Sequence, residues 1–65
     1  MFTIKENITI DIANQKVFAE DVGISEETLS RILSKKQKCS KVTAYSITKH
    51  LNPNKEIEDY FERVD

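Results

Sequence analysis

Seven cations stand between residues 31 and 55: Arg31, Lys35, Lys36, Lys38, Lys41, Lys49 and Lys55. No acid interrupts them. Four of the lysines crowd into the stretch SKKQKCSK, residues 34–41. Ammonium and guanidinium groups donate to phosphate oxygens and to carboxylates, so this segment could hold a nucleic-acid backbone or an acidic protein surface. The flanks have the opposite sign. Residues 1–30 and residues 56–65 each sum to −4, against +7 for the middle, and the whole chain carries −1. Uniform solvation does not require that segregation.

Other chemistry finds little to work with. The single cysteine, Cys39, allows neither an internal disulfide nor a cysteine metal cluster, and the single histidine, His50, has no evident second ligand. There is no phosphate-cradling glycine loop and no nucleophile with an obvious base. The expectation is a non-enzyme with no catalytic residue, no metal and no cofactor. No apolar run approaches the roughly 20 residues that span a bilayer. The opening MFTIKENITI lacks the basic and apolar regions of a signal peptide. Both point to a cytoplasmic chain with no membrane partner. Sixty-five residues make one small domain, 1–65. A chain of that size buries only about 60% of the surface its unfolded form exposes. One Gly and one Pro leave few breaks, so mostly helix is expected.

The elements that must carry the basic segment can be read from local signals. Residues 15–22 form a helix on the apolar positions Phe18, Ala19 and Val22, with Asn14 as its N-cap. Gly23 suits the left-handed position after the helix. Ser25 caps a second helix that carries Leu29, Ile32 and Leu33 and ends near Ser34. So tight a connection makes the two helices cross steeply, which suits a helix-turn-helix at 15–33. Residues 40–52 read as another helix. Asn52-Pro53 then starts a C-terminal amphipathic helix, 53–64, with Ile57, Tyr60, Phe61 and Val64 on its stripe. Near the N-terminus two patterns compete. Ile4 and Ile8 are four apart, as in a helix, whereas Ile8, Ile10 and Ile12 alternate with Thr9 and Asp11, as in a strand. A helix is the choice made over 4–12. The resulting fold class is all-α, a small bundle of about five helices.

The order and spacing of Phe18, Ala19, Val22, Gly23, Ile24, Ser25, Leu29 and Ile32 resemble the lambda-repressor-like, Cro/Xre helix-turn-helix family. Asn14-Gln15 stands where that family often has its Ser-Gln entry, and TLSRI, residues 28–32, is close to its usual recognition helix. The resemblance covers roughly residues 4–51 and departs at Ile12, near which family members often carry Gly. It implies a small transcriptional regulator of phage or mobile-element type, a repressor or related factor, whose second motif helix lies in the major groove. Carried over by position, the base readers are Glu26, Glu27, Thr28 and Arg31, with Ser30 nearby. Gln15 reaches across from the first motif helix, and Asn14 faces phosphate. Arg31 can grip guanine with two donors, and Thr28 can touch a thymine methyl. Lys35, Lys36, Lys38 and Lys41 occupy the loop that in this family often contacts the backbone. The partner is then double-stranded operator DNA, bound by a homodimer.

Glu26 and Glu27 argue against that assignment, because in the groove a carboxylate can accept only from cytosine. They also have a bland explanation as first-turn acids that stabilise the helix dipole by roughly 0.3–1 kcal/mol. A second reading therefore stays open: an antirepressor or modulator that meets a partner repressor protein through the same acidic helix and basic loop. Tyr60 and Phe61 are candidates for a dimer or partner contact, or else for the core.

Overall fold

The computed structural model describes residues 1–64; Asp65 and the side chain of Ile12 lie outside the described residues. In chain order the elements are β1 (Phe2–Ile4), α1 (Ile12–Val22), α2 (Glu26–Leu33), α3 (Lys41–Leu51), α4 (Ile57–Tyr60) and β2 (Phe61–Arg63). The fold is therefore not all-α. Four helices pack with a two-stranded antiparallel sheet.

The central helices follow their local signals. α1 enters at Asp11 rather than Asn14, and the Asp11 carbonyl accepts from the Gln15 N–H at 2.7 Å. Its end is a left-handed Gly23 at φ 86°. The Gly23 N–H donates to the Glu20 and Ala19 carbonyls, and the Ile24 N–H donates to Ala19 at 3.0 Å, which closes a Schellman motif. Ser25 caps α2, its hydroxyl accepting from the Thr28 N–H at 3.1 Å. Ser40 caps α3 in the same way through Thr43, at 3.3 Å. α2 buries Leu29, Ile32 and Leu33; α3 buries Ala44, Ile47 and Thr48.

Both chain ends depart from the helices expected of them. Residues 4–12 are not a helix. β1 leads into a segment without regular secondary structure, in which Ile8 and Ile10 are half-buried while Thr9 and Asp11 are exposed, so over residues 5–11 neither the helical nor the strand pattern is realised. The Ile8 N–H donates to the Leu33 carbonyl at 3.0 Å, supplying a partner to the open end of α2. Of the expected helix over 53–64 only one turn forms, Ile57–Tyr60. Asn52 is extended, and its side chain accepts from the Asn54 N–H at 3.0 Å. Asn-Pro here makes a turn, the other use of that dipeptide, rather than a helix start. α4 is a single turn whose entry is fixed by the Glu56 N–H donating to Asp59 Oδ2 at 2.8 Å.

At Phe61 the chain goes extended and pairs with β1. Phe2 lies opposite Arg63, Thr3 opposite Glu62 and Ile4 opposite Phe61. The other edge of β1 is taken by Cys39, which exchanges two backbone hydrogen bonds with Phe2, at 2.7 and 2.8 Å. Ile4 and Phe61 thereby join Phe18, Leu29, Ile32, Leu33, Ile47 and Ile57 in one core. Among the described residues, no helix is long and apolar enough to cross a membrane.

Candidate functional site

Glu26, Glu27, Ser30 and Arg31 of α2 are all exposed, Glu27, Ser30 and Arg31 on the sides turned away from Leu29, Ile32 and Leu33, and Glu26 at the open first turn. Arg31 is not idle there. Its guanidinium is paired with the Glu27 carboxylate one turn earlier on the same face. An exposed pair of this kind contributes about 0–1 kcal/mol, so a stronger acceptor can displace Glu27. Thr28 is half-buried, and its hydroxyl oxygen accepts from the Ser25 hydroxyl at 2.9 Å, which draws it into the cap. Gln15 is also half-buried and donates to the Glu26 carbonyl at 3.1 Å. It fastens α1 to the first turn of α2. Asn14 is exposed in the first turn of α1 and does not cap that helix.

The lysine-rich segment is a held loop. Lys35 adopts the left-handed conformation, φ 67°, at the end of α2. Lys35 donates to the Ile32 carbonyl and Lys36 to the Arg31 carbonyl, so a second Schellman closure forms with lysine in the place usually given to glycine. Three residues on, the Cys39 bridge to Phe2 pins the loop to β1. Ser40 then starts α3, whose first turn contains no acid. The positive end of that helix dipole adds to Lys38 and Lys41 beside it.

The tertiary structure also sorts the cations. Lys49 donates to the Lys55 carbonyl at 2.8 Å and lies 3.7 Å from the Glu56 carboxylate, so it serves the fold. Arg31 is occupied by Glu27. Lys35, Lys36, Lys38 and Lys41 are all exposed, and among the described residues none has a side-chain hydrogen bond or ion pair. Of the five cations between residues 31 and 55 left without such a partner among the described residues, four thus share one loop and the first turn of α3.

Of the proposed contact pair at the C-terminus, Tyr60 is half-buried, but Phe61 is 1% exposed and belongs to the core. It offers no surface to a partner. Cys39 has a role that its sequence context did not signal. It is buried, its backbone holds the lysine loop, and burial pushes its thiol above the ordinary value of 9.0, with a smaller opposing pull from the N-terminal amine. A thiol in that state is a poor nucleophile. The bridge with Phe2 spans the whole of α1 and α2, and no local signal in the sequence announces it. No known protein family, characterised protein or solved structure matches this chain.

Proposed function

We propose that this chain is a small cytoplasmic transcriptional regulator that binds double-stranded DNA. α2 enters the major groove as the second helix of a helix-turn-helix, and Lys35, Lys36, Lys38 and Lys41 take backbone phosphates. The observation that carries the reading is the set of four exposed lysines without intramolecular partners, on a loop fixed at both ends and continuous with the exposed face of α2. Arg31 exchanges Glu27 for a base edge on binding, and Ser30 lies beside it. One short helix makes few base contacts, so the functional unit is a dimer on a two-part operator. The order of Phe18, Ala19, Gly23, Ser25 and Leu29, which resembles the lambda-repressor-like family, supports the same assignment.

The test is a fluorescence-anisotropy titration with duplex DNA from the chain's own promoter region at two salt concentrations. Binding that weakens steeply with salt is the expected result. No binding at low salt would remove the proposal.

A second reading is favoured by one feature, the Glu27–Arg31 pair. It neutralises the only cation on α2 and leaves Glu26 to set the sign of the exposed face. That face suits the basic reading surface of a partner repressor, with the chain acting as its antirepressor. Replacing Glu26 and Glu27 together by Gln separates the two. On the DNA reading, nonspecific affinity rises, because two charges facing phosphate are lost and Arg31 is released. On the partner reading, the complex with the repressor loosens and DNA affinity does not change.

A further inference from the structure

One flank of α2 borders a hollow. Glu26, Ser30 and Ser34 are spaced four apart and so form one stripe along that helix. The segment before α1 runs beside the later part of the stripe, held there by the Ile8 N–H on the Leu33 carbonyl at 3.0 Å. The two enclose a hollow of about 170 Å³, walled by Ile8, Thr9 and Ile10 on one side and by Ser30, Leu33 and Ser34 on the other, with Gln15 beside them. Gln15 also reaches the first turn of the stripe, its amide donating to the Glu26 carbonyl at 3.1 Å. The hollow is therefore continuous with the exposed face of α2.

Its chemistry sets it apart. Two larger hollows are rimmed by charges of both signs, Lys5 with Glu6 and Asp59 beside Tyr60, and Lys41 and Arg63 with Glu58 beside Phe61. No charged side chain lines this one. Ile8, Ile10 and Leu33 make its apolar part. The Ser34 hydroxyl is bonded to the Ser30 carbonyl at 2.8 Å, whereas the hydroxyls of Thr9 and Ser30 belong to exposed residues and have no partner among the described residues.

We propose that this hollow reads a thymine when α2 lies in the major groove. The C5 methyl enters against Ile10, and the Ser30 hydroxyl donates to O4, with Thr9 as the opposite lip. The inference rests on the DNA reading above and adds residues 8–10 to the reading surface. The lining selects the occupant. A phosphate is drawn to the lysines beyond Ser34 rather than to a neutral wall. Of the base edges in the groove, thymine alone joins a methyl to an acceptor oxygen, whereas cytosine turns an amino donor to the same place.

The experiment compares the promoter-region duplex with the same duplex carrying deoxyuridine for thymidine, which removes the methyl and keeps O4. The full chain should bind the deoxyuridine duplex about tenfold more weakly, one methyl contact being lost in each half-site. Ile10→Ala should weaken binding to the thymidine duplex and leave the deoxyuridine duplex unchanged, so that the two affinities converge. Ser30→Ala should weaken both alike. Ile10 is half-buried, so a second measurement does not depend on that variant folding. In the isotope-labelled chain the Ile10 methyl resonances should move on adding the thymidine duplex and move less with the deoxyuridine one. Equal affinity of the chain for the two duplexes overturns the inference and leaves the DNA reading standing. So does a folded Ile10→Ala variant that discriminates as before, which would put the methyl elsewhere, or Ile10 resonances that the thymidine duplex leaves in place. No binding of either duplex at low salt removes the DNA reading and this inference with it.

Discussion

Lys35 and Gly23 perform the same backbone task at successive helix ends with opposite side chains. Both are left-handed, φ 67° and 86°, and both close the same pair of hydrogen bonds. For glycine the conformation is free; for an L-residue it costs roughly 1–2 kcal/mol. Lysine at that position gives up stability and gains a charge on the proposed phosphate surface. Lys35→Gly should therefore raise stability by about 1 kcal/mol, a melting increase of roughly 4–8 °C for a domain this small. The same change should weaken DNA binding. Thermal melts and anisotropy on one preparation check both signs, and a variant that melts no higher would show the lysine backbone to be unstrained. Thr48 is a second site where stability is incomplete. It is fully buried in α3, and its hydroxyl has no hydrogen-bond partner among the described residues. Leaving such a group dry and unpaired costs about 1–3 kcal/mol. Thr48→Val keeps the shape and removes the hydroxyl, so the urea midpoint should move up with an unchanged slope. A lower midpoint would mean that the hydroxyl is satisfied by a buried water.

At the scale of elements, the chain ends decide how firmly the lysine loop is held. β1 lies between β2 and Cys39, and the segment after it reaches the carbonyl of Leu33 at the end of α2. The loop from Ser34 to Ser40 is thus fastened through residues 2–8, although no helix covers it. Native-state hydrogen exchange measures this directly. The amides of Phe2 and Cys39 should be protected nearly as well as the core amides of α2, while the loop amide of Lys38, which has no backbone acceptor among the described residues, should exchange fast. Fast exchange at Cys39 would mean that the loop is open and the lysines are not held in place. The same elements show where sequence patterns mislead. Ile57, Tyr60, Phe61 and Val64 fit a helical stripe, yet a strand that alternates Phe61 inward and Glu62 outward fits the last part equally well. Over so few residues the two periods cannot be told apart. A backbone partner decides, and here β1 supplies one.

Across the whole molecule, electrostatics is set by which charges find partners. Of the seven cations in the middle of the chain, Arg31 and Lys49 are taken internally, and four of the remainder share one loop and helix start. If these four hold phosphates, changing Lys35, Lys36 and Lys38 together to Ala should lower affinity on every DNA sequence. It should also flatten the salt dependence by about one unit of log–log slope per lysine lost. An unchanged slope would show that the loop does not touch the backbone. The sequence by itself determined the turn at Gly23, the cap at Ser25, the buried stripe of α2 and the run of cations. Each of these is a local matter, settled by a backbone angle, a hydroxyl or a spacing of three and four residues. Tertiary structure alone decided that the first and last residues would be paired strands, that Cys39 would anchor the loop, and that Phe61 would be core and Asn14 no cap. It also decided which cations remained free. These outcomes depend on contacts between segments up to some sixty residues apart, such as Phe2 with Arg63, whose free energy no short window of sequence contains.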